Sequence, residues 1–341
     1  MPVTFTDWFW PRVKATMQVA SGRWRNLLNW RQPAPEWKMQ SKKLVSGEQK
    51  LKSRKQEILS GFVLFLLALV PLFLFMLKTS GVARACGYRV VREVFKTYVL
   101  MSAWRLDSVA GEHFYVRFPS GKRSEAELVL KTAERFYHPV TGDLNFYPSF
   151  KIPIVLYSNK EDLNRSLGWG SGESAVGIYW AGVIKVLSPG AWISAPDDDL
   201  RKEIFVTNGP VAHELAHLAV DYLSGGNYPR WFTEGVAQYE EFKYTGFRFK
   251  GGNLRRSLYS FARMSRDFDL LPDQSLAYQE SFAVVCYIVA VYGEDSLRAI
   301  VENLGKGMEM GQAVKDVTGL DFETFEWEWR KWLEKNIELF S

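Results

Sequence analysis

The chain has 341 residues, 47% hydrophobic and 24% charged, long enough for two domains and too apolar for a disordered protein. Its net charge of +5 averages two unlike parts: residues 1–57 hold twelve Lys and Arg against four Asp and Glu, a net of +8, which leaves −3 for residues 58–341. Two cysteines, Cys86 and Cys286, exclude a disulfide-rich scaffold and a zinc cluster built from cysteine alone.

Taken in chain order, residues 1–57 form a basic tail in which Trp8, Trp10, Trp24, Trp30 and Trp37 interleave with Lys and Arg. That composition suits either a segment lying on an anionic lipid surface or a solvated basic tail. Residues 58–77 are then free of charge over a length that matches a bilayer's hydrocarbon core, and they are expected to form one transmembrane helix. A buried core helix and a cleaved signal peptide fit less well: the run has no polar face, and the 57-residue leader is too long. Seven Lys and Arg in the 20 residues before the span, against five in the 20 after it, orient the N-terminus to the cytoplasm and the larger part outside. Basicity therefore marks topology, and no nucleic-acid partner is expected.

After a juxtamembrane segment, 78–110, a domain is expected over 111–341. Residues 112–119 and 151–157 have strand character, and 177–187 suggests two short strands joined through Ala181-Gly182. Between them, apolar spacing over 124–138 predicts a helix opened by a Ser124/Glu127 capping box. From Gly209 the pattern turns helical: roughly 210–223, 230–242, 278–292, 294–305, 309–317 and 322–338. Strands followed by helices point to an α+β fold.

Two of the four histidines fall in His213-Glu214-Leu215-Ala216-His217. On a helix, positions four apart share a face, so both imidazoles project towards one point, as two ligands of one zinc ion require. Glu214, one position on, can reach a water on the ion's open side and act as general base in an attack on a carbonyl. Thr207 or Asn208 is the expected N-cap, with Pro210 in the first turn. Gly225-Gly226 and Pro229 then punctuate a reversal into a second helix, where Glu234 offers a third ligand. Tyr278 opens the next helix and is the first candidate for stabilising a tetrahedral oxyanion. Asp221 either orients a ligand imidazole or is solvated, and Glu240 and Glu241 are expected to point outward. His113 and His138 have no partners in sequence and suit surface or packing roles, and Cys286 lies in an apolar helix. A Cys86–Cys286 disulfide is left open.

These residues resemble the gluzincin metallopeptidases, in particular peptidase MA-like domains. The likeness spans roughly 120–340: the His-Glu-Leu-Ala-His motif with Asp221, then Gly226, Pro229, Trp231, Glu234-Gly235 and Ala237. It continues through Tyr278, Ser281-Phe282, Tyr292-Gly293 and a closing helix with Phe322, Phe325, Trp329 and Trp332-Leu333. The resemblance implies zinc held by His213, His217 and Glu234, Glu214 as base, and peptide or protein substrates. It implies a gluzincin-type fold, with a small mixed or antiparallel sheet before a helical C-terminal half. It further implies an edge strand, within 177–187, that pairs with extended substrate. The Gly-x-Met-Glu-Asn element of the clan's aminopeptidases is missing ahead of the zinc helix, which favours endopeptidase action. The alternative is a zinc-containing module that binds peptide or cell-envelope material without cleaving it.

Overall fold

The computed structural model describes residues 81–170, 175–249 and 251–340. The expected basic tail and transmembrane helix, 1–57 and 58–77, lie outside the described residues. Among those described, the order is α1 (Gly81–Ser102), β1 (Asp107–Ala110), β2 (Phe114–Phe118), α2 (Arg123–Asp143), β3 (Ile152–Tyr157), α3 (Lys160–Leu167), β4 (Gly177–Trp180) and β5 (Val183–Leu187). Helices follow: α4 (Asp198–Asn208), α5 (Val211–Ser224), α6 (Arg230–Thr245), α7 (Phe261–Asp267), α8 (Gln274–Tyr292), α9 (Glu294–Gly305), α10 (Met310–Thr318) and α11 (Phe322–Asn336). The fold is mixed α+β with a helical C-terminal half.

The five strands form one sheet in the order β1-β2-β3-β5-β4. The inner pairs β2–β3 and β3–β5 are parallel, and the outer pairs β1–β2 and β5–β4 are antiparallel. Parallel neighbours need a crossover, supplied by α2 between β2 and β3 and by α3 with β4 between β3 and β5. The expectation of a mixed sheet therefore holds, although two of its connections alternate strand and helix. Alternate residues face opposite sides: Ile154, Ile184 and Val186 join the main core with α2 and α5, whereas Val155 and Val183 pack with Val99 and Ala103 of the α1 region. Helices thus cover both faces. β1, within the expected juxtamembrane segment, pairs with β2 across position 111, and α1 packs on the sheet.

Several boundaries move. α2 starts at Arg123, with no side-chain cap at Lys122, and runs through Pro139 to Asp143; Glu127 pairs with Arg123 (2.8 Å) instead of closing a capping box with Ser124. Thr207 and Asn208 do not cap the motif helix, because they end α4, which opens at Asp197 (its side chain accepts from Leu200 N–H). Gly209 and Pro210 make the corner between the two helices. α8 is long and apolar enough to cross a membrane, yet most of it is buried, packed against α6, α9 and α11. Gly235 on α6 makes that packing close: a Cβ there would lie 2.3 Å from the Ser281 carbonyl oxygen of α8. Cys86 is exposed and Cys286 partly buried, and both are free, so the disulfide left open does not form. His113 has a packing role, bonded to Glu134 (2.8 Å) and stacked on Tyr137 with the His138 ring at its edge.

Candidate metal centre

α5 buries Val211, Ala212, Leu215, Ala216, Leu218 and Ala219, which leaves His213 and His217 on its remaining face. Gly225 ends the helix in the left-handed region, and α6 restarts at Arg230 after Pro229. α6 packs back along α5 and brings Glu234 opposite the two imidazoles. His213 and His217 face each other through Nε2 at 3.1 Å, and each Nε2 lies 3.5 Å from Glu234 Oε2. Tetrahedral ligands at about 2.0–2.2 Å from one zinc ion stand roughly 3.3–3.6 Å apart. The two 3.5 Å separations fall in that range and the 3.1 Å one is slightly shorter, so these two imidazole nitrogens and one carboxylate oxygen could hold such an ion.

Each imidazole is held from behind. Glu241 Oε2 lies 3.1 Å from His213 Nδ1, and Thr233 Oγ1 lies 2.7 Å from His217 Nδ1. With Nδ1–H donating in each case, both Nε2 lone pairs are left for a metal. Glu241 is buried, contrary to the outward placement expected of it, and so is Glu240. The reason is that α6 lies between α5 and α8, so that its residues from Trp231 to Ala237 are buried on every side. The other Glu234 oxygen accepts from Arg230 (2.9 Å), which also pairs with Asp269 (3.3 Å) and donates to the Tyr278 hydroxyl (3.4 Å). Tyr278 therefore stands beside Glu234, across Arg230 from it. Arg230 and Thr233 escaped the sequence reading and Glu241 was placed outward in it; for Arg230 and Glu241 the signal was helical register, since 230 and 241 share a face with 234 at spacings of four and seven.

Glu214 points to the other side of the centre, where its Oε2 accepts from the backbone N–H of Tyr179 (2.5 Å). Tyr179 belongs to β4, the edge strand nearest α5, so the expected strand at 177–187 does flank the motif. Asp221 neither orients an imidazole nor is solvated: it is fully buried and bonded to Tyr88, Arg92, Tyr179 and Tyr228.

The charges explain the remaining chemistry. Burial disfavours the His213 imidazolium, yet the bonds to Glu234 and Glu241 outweigh it and hold its pKa well above the ordinary value. Burial would raise Glu234, but Arg230 and the two histidines keep it well below the usual carboxylate range. Glu214 moves the other way: burial raises it, and the nearby imidazoles offset only part of the effect. The centre thus combines a cation-seeking donor set with a carboxyl group suited to taking up a proton.

A family model described as the peptidase MA superfamily matches residues 202–335. The matched stretch runs from α4 to α11 and contains His213, Glu214, His217, Glu234 and Tyr278, while α1 and the sheet precede it. No curated protein matches the chain. Over residues 202–335 the chain is thus similar to the peptidase MA superfamily, and this likeness together with the centre supports metallopeptidase-like character.

Proposed function

We propose that the chain is a membrane-anchored zinc endopeptidase of the gluzincin type, with His213, His217 and Glu234 as ligands and Glu214 as general base. The carrying observation is the convergence of two Nε2 atoms and one carboxylate oxygen within 3.1–3.5 Å of one another, close to the spacing of tetrahedral ligands. When bound there, zinc lowers the pKa of a water molecule and polarises the scissile carbonyl. Glu214 takes the water's proton on its carboxylate and delivers it to the departing amine. Tyr278, with its hydroxyl 3.4 Å from Arg230, donates a hydrogen bond to the oxyanion that develops on the substrate. The outward backbone groups of β4 that Glu214 does not occupy pair with extended substrate. Residues 58–77 anchor the chain, with the tail in the cytoplasm and the catalytic domain on the other side.

The test is cleavage of an unstructured protein such as casein by the purified full-length chain in detergent. The expected result is cleavage abolished by chelation, restored by zinc, and reduced at least about 10³-fold in Glu214→Gln, which retains the metal. Undiminished cleavage by Glu214→Gln contradicts the assignment of the base. Zinc and tight peptide binding without any cleavage contradicts the peptidase reading.

A further inference from the structure

Glu214 and Asp221 lie seven residues apart on α5, on one face and two turns from each other, roughly 10 Å along the axis. Tyr179 of β4 bridges the interval. Its backbone N–H donates to Glu214 (2.5 Å), and its phenol donates to Asp221 Oδ2 (2.6 Å). The same phenol oxygen accepts from the N–H of Gly182 (3.0 Å), closing the β4–β5 turn. In that turn Ala181 and Gly182 both have positive φ, 49° and 80°, as the tightest two-residue hairpins require. Tyr179 sits opposite Ile184, and its N–H turns to the outer edge of the sheet, where it meets Glu214.

Asp221 is itself fixed by α1. Its Oδ1 accepts from Tyr88 (2.5 Å) and Tyr228 (3.2 Å), and its Oδ2 pairs with Arg92 (3.1 Å). With Tyr179, these four donors fill the carboxylate's acceptor capacity. Arg92 also donates to the Asp221 carbonyl (3.4 Å) and lies over the Tyr222 ring at 3.5 Å, a favourable place for a cation at a helix C-terminus. The contact is close: Gly226 (φ +75°) packs against Tyr88, and a Cβ there would sit 2.6 Å from the ring. Both Asp221 and Arg92 are almost fully buried, and a buried pair of this kind is costly to break by removing one partner.

Building on the reading of Glu214 as base, we infer that Tyr179 is a positioning residue for Glu214, clamped through Asp221 by Tyr88 and Arg92 of α1. The helix that follows the expected membrane span is thus part of the active-site scaffold, although it lies outside the stretch matched by the family model. The edge strand and the base carboxylate share one anchor, and that anchor depends on α1 being docked.

The experiment uses the full-length, zinc-loaded chain and three side-chain truncations that keep shape: Tyr179→Phe, Tyr88→Phe and Asp221→Asn. Zinc content, kcat and KM on casein-derived peptides, and backbone hydrogen exchange are measured together. The expected result for Tyr179→Phe is one zinc per chain, kcat lower by about tenfold or more, KM within about threefold, and faster exchange at residues 177–180 with α5 protection retained. Tyr88→Phe, on α1 alone, reproduces the same pattern more weakly, and Asp221→Asn reproduces it at least as strongly. Wild-type kcat with unchanged exchange at 177–180 in all three variants overturns the inference. So does loss that is uniform, with zinc released and protection falling across the domain, because Tyr179 would then be a general stability residue. If the wild-type chain cleaves nothing, the proposed function fails. The exchange response of β4 to Tyr88→Phe then decides the clamp by itself, and no response overturns it.

Discussion

At the residue scale, the decisive features are the groups behind the ligands. Glu241 fixes the His213 ring from its Nδ1 side, and Thr233 does so for His217. Partners of this kind typically account for 10–100-fold in metal affinity. Glu241→Gln is accordingly expected to weaken zinc binding by about that factor, read by competition with a chromophoric chelator; unchanged affinity would show that Glu241 does not orient the ring. Tyr278→Phe is expected to lower kcat by about 10–10³-fold with little change in KM, since its hydroxyl is assigned to the developing oxyanion alone. Steady-state kinetics on a peptide substrate check this, and a rise in KM at constant kcat would place Tyr278 in substrate binding instead. The His213–His217 pair was legible in the sequence because a helix turns a local spacing into a shared face. Glu241 was misjudged because α6 is buried almost all round, which erases the polar–apolar alternation that marks an outward position.

At the element scale, the centre exists because α5 and α6 pack antiparallel and α8 closes on α6 over Gly235. A methyl group at 235 would stand 2.3 Å from a backbone oxygen of α8, a contact that side-chain motion cannot relieve. Gly235→Ala is expected to destabilise the domain by about 1–3 kcal/mol, a typical cost of overpacking, measured by denaturant unfolding, and to weaken zinc binding because Glu234 precedes it. A neutral effect would mean that α6 and α8 separate freely. Helices α5, α6 and α8–α11 were legible from apolar periodicity. α4 was missed, although the run Asp197-Asp198-Asp199 carries its N-terminal signal, because it buries only Phe205 and so lacks an apolar stripe. α1 was missed for a related reason. Its docked face carries Tyr88, Arg92 and Lys96, whose partners Asp221 and Tyr222 lie far away in sequence, and long-range polar pairing leaves no local pattern.

At the scale of the whole molecule, the domain holds buried carboxyl groups outside the centre, Glu240 and Glu280 among them, and they are expected to contribute to its pH response. Glu280 is completely buried, with one oxygen accepting from Tyr259 N–H (3.0 Å) and the other without a partner among the described residues. Burial pushes its pKa from 4.5 to about 8. A raised carboxyl pKa stabilises the folded state fully below 4.5, and that stability is lost as pH rises towards about 8. Glu280→Gln is therefore expected to flatten the decline in unfolding free energy between these values, measured by urea titration across pH; an unchanged slope would assign the decline to other groups. The proposed anchoring has its own consequence: the tail before residue 58 and the domain after residue 77 should be modified from opposite sides of sealed membranes. The central claim is that His213, His217 and Glu234 hold one zinc ion beside Glu214. Metal analysis of the purified full-length chain tests it most directly. The account predicts about one zinc per chain, lost in His213→Ala and retained in Glu214→Gln. A wild-type chain without zinc, or one that keeps its zinc in His213→Ala, would contradict it.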